Sequence, residues 1–181
     1  MTEPRDSSTS GPNIPKEKQT SLGLYLTARE AYDRWRLDPE KSKILDVRTP
    51  EEYVFVGHAE MGWLIPLVLQ THQWDPAGRH LLTKPNPDFL AAAKEVFKPF
   101  DILMVMCRSG GRGAQAVNLL AKHGFTQAFN VVDGMEGDAV DDPDSVFRGK
   151  RLKNGWKNSG LPWSYALNPE RMRLPTAVAN A

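Results

Sequence analysis

The stretch Met104-Val105-Met106-Cys107-Arg108-Ser109-Gly110-Gly111-Arg112-Gly113-Ala114 decides both the fold of this chain and the place of its chemistry. Its apolar beginning predicts a buried strand, and its end opens a helical pattern. The loop between them contains three glycines, two arginines and a serine, and it follows the only cysteine of the chain. A strand, a glycine-rich loop and a helix in succession are typical of a βα unit in a parallel sheet.

The loop after Cys107 has the composition of an anion-binding site. Glycines allow successive backbone N–H groups to turn inward and form a concave nest, and a helix N-terminus adds unpaired donors and partial positive charge. These features favour thiolate over thiol, which predicts a nucleophilic Cys107. The alternative is an inert cysteine that ends a core strand, and position alone would favour it. The candidate binding residues are Arg108, Ser109, Gly110, Gly111, Arg112 and Gly113.

Composition excludes several other classes of site. The chain has 181 residues, a formal net charge of +1 and one cysteine, so no internal disulfide and no Cys-x-x-Cys zinc site can form. The four histidines show no ligand spacing on a common helix face, and we expect neither a metal nor a cofactor. The charge does not favour nucleic acid or an anionic membrane surface. The longest apolar run, Ile102 to Cys107, is too short to span a bilayer.

The chain is predicted to form one domain between two tails. The first 21 residues are rich in Ser, Thr, Pro and Lys, which predicts a disordered arm over 1–21. The domain is expected over 22–168 and a C-terminal tail over 169–181. The arm lacks the apolar centre of a secretory signal, which favours a cytoplasmic protein, although a periplasmic location stays open if a leader was removed. We expect a monomer or a weak dimer.

Strands and helices of about ten residues are predicted to alternate along the chain. Thr27 to Glu30 and Thr49 to Glu52 have the spacing of helix N-terminal caps. This alternation predicts an α/β fold with a central parallel sheet flanked by helices on both faces. The predicted strands are 43–47, 63–65, 102–106 and 128–131; the predicted helices are 27–37, 49–56, 87–97 with Asn86 as its cap, and 111–123; and long irregular connections are predicted over 70–86 and 134–162.

Loop length separates two enzyme classes that use a cysteine in such a cradle. Cysteine-dependent phosphatases carry Cys-x5-Arg, which is sized for an arginine to hold a phosphate. Here the residue six positions after Cys107 is Gly113, and Arg112 comes one position earlier. The shorter loop encloses a smaller ring of amides, which fits a persulfide sulfur better than a tetrahedral phosphate. A phosphatase or arsenate reductase is therefore disfavoured, and the absence of a second cysteine disfavours it further.

The loop, written Cys-Arg-Ser-Gly-x-Arg, resembles the active-site loop of rhodanese-family sulfurtransferases. The resemblance implies the rhodanese-like form of the α/β fold. Two departures stand out: Glu60 to Trp63 replaces the usual Pro-Gly-Ala, and Gly137 stands near an aromatic position that Trp156 is expected to fill instead. The other segments that resemble the family, in the family's order, are 44–53, 57–67, 130–135 and Gly160-Leu161-Pro162.

The resemblance implies a reaction in two halves. The thiolate of Cys107 would take the outer sulfur of a small anionic donor such as thiosulfate, release sulfite, and pass the sulfur to a thiol, cyanide or a protein cysteine. The N–H groups from Arg108 to Gly113 would stabilise the persulfide, and Arg108 would attract the donor. A relay to a protein partner and a non-catalytic binding module stay open, although the second usually goes with loss of the cysteine.

Charged residues outside the loop are expected to support it, namely Asp46, Arg48 and Glu51. Arg112 either binds substrate or braces the loop against a carboxylate such as Glu51. Asp46, near the end of a buried strand, would be costly if unpaired, so we expect it to bond to loop backbone or to Arg48. The insertions 70–86 and 137–158 are both expected to overhang the site.

Overall fold

The centre of the fold is a five-stranded parallel sheet, seen in a computed structural model that describes residues 14–175. Two short antiparallel pairs accompany this sheet. In chain order the strands are β1 (Tyr25–Leu26), β2 (Ser42–Asp46), β3 (His58–Ala59), β4 (Trp63–Leu64), β5 (Val68–Asp75), β6 (His80–Pro85), β7 (Ile102–Met106), β8 (Ala128–Val131) and β9 (Trp163–Ser164).

The order of the central sheet is β1-β8-β7-β2-β4, and every neighbouring pair is parallel. Strands β2 and β7 pair along their full length, from Ser42 opposite Ile102 to Asp46 opposite Met106. Both strands therefore end at the same edge of the sheet. In open parallel sheets this carboxyl edge is where ligands bind, and here it places Asp46 beside Cys107 in the fold.

Four α-helices connect the strands: α1 (Ala28–Leu37), α2 (Pro50–Val56), α3 (Phe89–Val96) and α4 (Gly111–Ala121). Both predicted caps are confirmed as capping boxes, because the Thr27 and Thr49 side chains accept from the N–H three residues on and Glu30 and Glu52 reach back. Within residues 14–175, no helix is long and apolar enough to cross a bilayer.

Alternate residues of β7 enter two different cores, because successive side chains of a strand point to opposite faces. Leu103 and Val105 pack with α3 and α4, whereas Met104 and Met106 pack with α1. The predicted arrangement of helices on both faces is confirmed. Trp156 is fully buried in the second core, as expected from its place in the resemblance, and its Nε1 donates to the Pro162 carbonyl at 2.9 Å.

The connection predicted over 70–86 is instead a β-hairpin. Strands β5 and β6 pair with each other and with no strand of the central sheet. Asn86 makes the contact expected of a cap, since its Oδ1 accepts from the Asp88 N–H at 3.1 Å, and its Nδ2 also donates to the Pro66 carbonyl at 2.7 Å at the base of the hairpin. The regular helix nevertheless begins later than predicted, with Asp88 as its N-cap residue.

Parts of both predicted tails belong to the folded structure. Residues 14–21 include a 3-10 helix, Lys16–Lys18, which packs against α4, so this part of the predicted arm is ordered. In the predicted C-terminal tail, Met172 forms a parallel bridge to Leu64, because the exposed edge of β4 offers unpaired backbone groups. The predictions for residues 1–13 and 176–181 lie outside the described residues.

Candidate active site

Cys107 lies at the junction of β7 and the loop that leads to α4. Only 2% of its surface is exposed. The Gly110 N–H donates to the Cys107 Sγ at 3.1 Å, and Gly110 is the N-cap residue of α4, with a φ of 100° that favours glycine. The sulfur therefore lies at the positive end of a helix, where negative charge is stabilised.

The other amides of the loop make no hydrogen bond to an acceptor within the part of the chain that the structure describes. Five N–H groups of the loop, all except that of Gly110, find no protein acceptor within residues 14–175. Three of them belong to the first turn of α4, where no intrahelical partner exists. The amides concerned are those of Arg108, Ser109, Gly111, Arg112 and Gly113.

The carbonyl side of the loop is held by the turn that follows β8. The Met135 N–H donates to the Cys107 carbonyl at 2.8 Å, and the Glu136 N–H donates to the Arg108 carbonyl at 3.0 Å. Gly134 begins this turn with a φ of 61°, and a Cβ there would lie 2.7 Å from the Arg108 carbonyl oxygen. The loop therefore keeps its shape because a tight glycine turn lies directly against it.

Asn130 supports the loop from β8 and was missed by the sequence analysis. It is fully buried, and its Nδ2 donates to the Gly110 carbonyl at 3.1 Å and to the Lys18 carbonyl at 2.9 Å. The available signal was an amide side chain within an apolar strand, Ala128-Phe129-Asn130-Val131. A buried amide is costly unless it is bonded, so a structural partner could have been expected.

Arg112 braces the loop against α2, but its partner is Glu52 and not the predicted Glu51. Its two terminal nitrogens bond to the two Glu52 carboxylate oxygens at 2.6 Å each. Glu51 is exposed. The capping box on Thr49 explains the difference, because it fixes Glu52 at the third helical position, and the neighbouring residue points elsewhere around the helix.

Asp46 and Arg48 form a buried ion pair behind the loop, which is one of the two arrangements predicted for Asp46. The Arg48 Nη2 lies 2.7 Å from the Asp46 Oδ2 and also donates to the Gly57 carbonyl at 2.8 Å. Both side chains are almost completely buried. Burial alone would lower the pKa of Arg48, but the Asp46 carboxylate raises it, so the guanidinium stays charged.

A cleft of about 690 Å³ opens above the loop. Arg108 and Arg112 line it from the loop side, and Gln70, His80 and Leu81 line it from the β5–β6 hairpin. The hairpin therefore overhangs the site as expected. The second insertion, 137–158, contributes none of the described residues of this wall; part of it lines a separate hollow of about 290 Å³.

Comparison with known proteins decides the family. A family model for the rhodanese-like domain matches residues 27–139, which include the whole Cys107 loop. This chain belongs to the rhodanese-like domain family. The match ends before most of the second insertion and begins after the 3-10 helix at Lys16–Lys18.

Relatives of this rhodanese-like domain support the same assignment. The chloroplastic thiosulfate sulfurtransferase 16 of Arabidopsis thaliana is 37% identical over 92 residues, covering 51% of this chain and 69% of the relative. An uncharacterised protein of Rickettsia conorii is 28% identical over 141 residues, covering 77% of this chain and 96% of the relative. The crystal structure of Rv0390 from M. tuberculosis has a TM-score of 0.61 at 26% identity, covering 78% and 96%. The family role is therefore that of a sulfurtransferase.

The Glu52–Arg112 pair predicts a specific dependence of stability on pH. Burial alone would raise the pKa of Glu52, but the hydrogen bonds and charge of Arg112 lower it below its usual value of 4.5. A lowered pKa in the folded state contributes stability that is complete above the unfolded pKa and lost as the pH falls through the folded pKa. Glu52→Gln should therefore flatten the fall of the unfolding midpoint on acidification below about pH 5.

The matched control for this prediction is Glu51→Gln in the same rhodanese-like domain. Glu51 is exposed on the same helical turn and has no ion-pair partner among the described residues. Thermal unfolding followed by circular dichroism across the acid range compares the three proteins. Equal flattening in both variants would contradict the assignment of Glu52 as the brace of the loop.

Proposed function

We propose that this rhodanese-like domain is a sulfurtransferase that carries sulfane sulfur as a persulfide on Cys107. The observation that carries the proposal is the hydrogen bond that the Gly110 N–H donates to the Cys107 Sγ at the start of α4. A thiolate at that point is stabilised by the helix end, and the outer sulfur of a persulfide can use the loop amides that have no protein acceptor. The Arabidopsis relative is a thiosulfate sulfurtransferase, which supports thiosulfate as a donor.

The first half-reaction loads the cysteine. The Cys107 thiolate attacks the outer sulfur of thiosulfate, a new S–S bond forms, and the bond between the two sulfur atoms of thiosulfate breaks. Sulfite leaves with the electron pair of the broken bond, so no oxidant or reductant is required. Arg108, which is exposed and lines the cleft, attracts the dianion to the loop. Arg112 cannot supply a free charge because Glu52 already pairs with it.

The second half-reaction unloads the cysteine. A thiolate or cyanide attacks the outer sulfur of the persulfide, and Cys107 leaves as a thiolate ready for another cycle. Cys107 itself is 2% exposed. Adding one sulfur extends the side chain by about 2 Å, so the acceptor meets the outer sulfur and not the buried one.

The size of the cleft favours an acceptor larger than cyanide. Its volume of about 690 Å³ falls in the range that holds drug-sized ligands. On the hairpin wall, Gln70 and His80 are polar and Leu81 adds an apolar surface. Arg108 supplies positive charge from the loop side. These features fit a thiol that carries a carboxylate, whether free or within a peptide.

The decisive experiment follows one added sulfur atom. The purified protein is incubated with thiosulfate, and mass spectrometry of the Cys107 peptide is expected to show a mass gain of one sulfur. The loaded protein is then mixed with cyanide or with a cysteine-containing peptide bearing carboxylates, and release is expected to be faster with the peptide at equal concentration. Because the chain has one cysteine, Cys107→Ser is a control with no other thiol to modify.

Two outcomes would overturn the proposal. Absence of the adduct on Cys107 under conditions where the protein is folded would exclude the persulfide. Hydrolysis of an aryl phosphate that depends on Cys107 would favour a phosphatase instead. Equal release by cyanide and by the peptide would leave the persulfide chemistry in place and reject the larger acceptor.

A further inference from the structure

Lys18 lies outside the segment that the family shares, yet it is a buried lysine beside the active-site loop. It is 9% exposed, and it ends the 3-10 helix Lys16–Lys18. The rhodanese-like domain match begins at residue 27. Lysine is almost never buried unless it is paired, so its position here calls for a partner and a role.

Lys18 makes three contacts with the frame around the loop. Its Nζ lies 2.7 Å from the Asp138 Oδ1, with the two side chains 11% and 38% exposed. Its carbonyl accepts from the Asn130 Nδ2 at 2.9 Å. Its Cδ packs against Gly110, since a Cβ on that glycine would be only 3.0 Å away.

These contacts connect the two supports of the loop to each other. Asn130 holds the Gly110 carbonyl, and the Gly110 N–H holds the Cys107 sulfur. Asp138 directly follows the turn 134–137, whose amides hold the Cys107 and Arg108 carbonyls. Lys18 is therefore bonded to one support through its backbone and to the other through its side chain.

We propose that Lys18 is a positioning residue for sulfur transfer, which fixes the Cys107 loop by joining Asn130 to Asp138. The proposal rests on the proposed function, because the loop is taken as the site of the persulfide. Burial alone would raise the pKa of Asp138, but hydrogen bonds from Lys18 and Asn154 lower it, so the carboxylate stays charged and the pair is kept. Amides that stabilise charge must be held in place before reaction, and Lys18 supplies part of that restraint.

The test compares Lys18→Met with Lys16→Met. Methionine keeps a long apolar side chain and removes the ammonium group, and Lys16 is an exposed lysine of the same helical turn. In Lys18→Met we expect the rate of persulfide formation at saturating thiosulfate to fall roughly tenfold, short of the ~100-fold loss that a misplacement of about 1 Å can cause. The KM for thiosulfate should change little, because Arg108 remains, and Lys16→Met should match the wild-type protein.

A second variant tests the same ion pair in case Lys18→Met fails to fold. Asp138→Asn removes the same ion pair from its more exposed end, and it should lower the rate in the same direction. The combination of Lys18→Met with Asp138→Asn should lower the rate no further than the stronger single variant, because both changes break one contact. Circular dichroism and the unfolding midpoint verify that each protein is folded.

A readout without a sulfur donor separates this proposal from the proposed function. Alkylation of Cys107 by iodoacetamide reports the geometry of the loop, and its rate should change in Lys18→Met and Asp138→Asn but not in Lys16→Met. If the wild-type protein forms no persulfide, the proposed function fails and the alkylation rates alone decide on Lys18. Wild-type rates of alkylation in folded Lys18→Met and Asp138→Asn would overturn the positioning role, as would independent, additive effects of the two changes on transfer.

Discussion

Gly134→Ala should lower the rate of sulfur transfer at least ~100-fold, because even a displacement of about 1 Å near reacting groups can cost that much. Gly134 has a φ of 61°, and an added Cβ would lie 2.7 Å from the Arg108 carbonyl oxygen. The turn must then move away from the loop and release the carbonyl of Cys107, which accepts from the Met135 N–H at 2.8 Å. Steady-state kinetics with thiosulfate measures the loss.

The control for this variant is Gly124→Ala. Gly124 also has a positive φ, of 94°, but a Cβ there would meet nothing within 4 Å. Both variants carry the backbone strain of a non-glycine residue in this region, about 1–3 kcal/mol in unfolding free energy. Only Gly134→Ala should lose activity. Similar losses in both would show that general destabilisation, and not contact with the loop, is responsible.

Arg48→Met should lower the free energy of unfolding by about 3–5 kcal/mol, the usual cost of removing one partner of a buried ion pair. Asp46 is 1% exposed, and its carboxylate would lose three of its hydrogen bonds to the Arg48 guanidinium. The remaining negative charge would be buried without a counterion at the edge of the sheet. Urea unfolding followed by tryptophan fluorescence measures the change.

The double variant Asp46→Leu with Arg48→Met tests whether the unpaired Asp46 charge causes this loss of stability. When both charges are replaced by apolar groups of similar size, a buried pair often costs little stability, because no unpaired charge is left. We expect the double variant to recover more than half of the loss. A double variant as unstable as Arg48→Met would contradict the ion-pair explanation and point instead to the lost bond between Arg48 and the Gly57 carbonyl.

The local features of this fold were predictable because their causes are local. The apolar run before Cys107, the glycines after it and the two capping boxes each act within a few residues. The alternation of strands and helices predicts the parallel sheet, and the end of the strand before Cys107 predicts that this residue lies at the sheet edge. The pairing of Asp46 with Arg48 was also accessible, because the two residues are only two positions apart.

The errors concern contacts between distant parts of the chain. Arg112 and Glu52 are 60 positions apart, and the choice between Glu51 and Glu52 depends on how α2 is turned toward the loop. Lys18 and Asn130 are 112 positions apart, so composition alone made the N-terminal segment look like an unstructured arm. The hairpin of β5 and β6 was missed because its turn residues are compatible with an irregular connection, and pairing between strands leaves little local signal.

The separate pairing of β5 and β6 makes one wall of the cleft independent of the central sheet. Because their hydrogen bonds are made to each other, this segment can be lengthened, shortened or exchanged without changing any register of the central sheet. The base of the hairpin is closed by Asn86, whose N–H donates to the Leu67 carbonyl at 3.0 Å. This bond fixes where the hairpin leaves the sheet, whatever the length of its tip. Changes in the hairpin can thus reshape the cleft that Gln70, His80 and Leu81 line, while the strand that leads to Cys107 keeps its pairing.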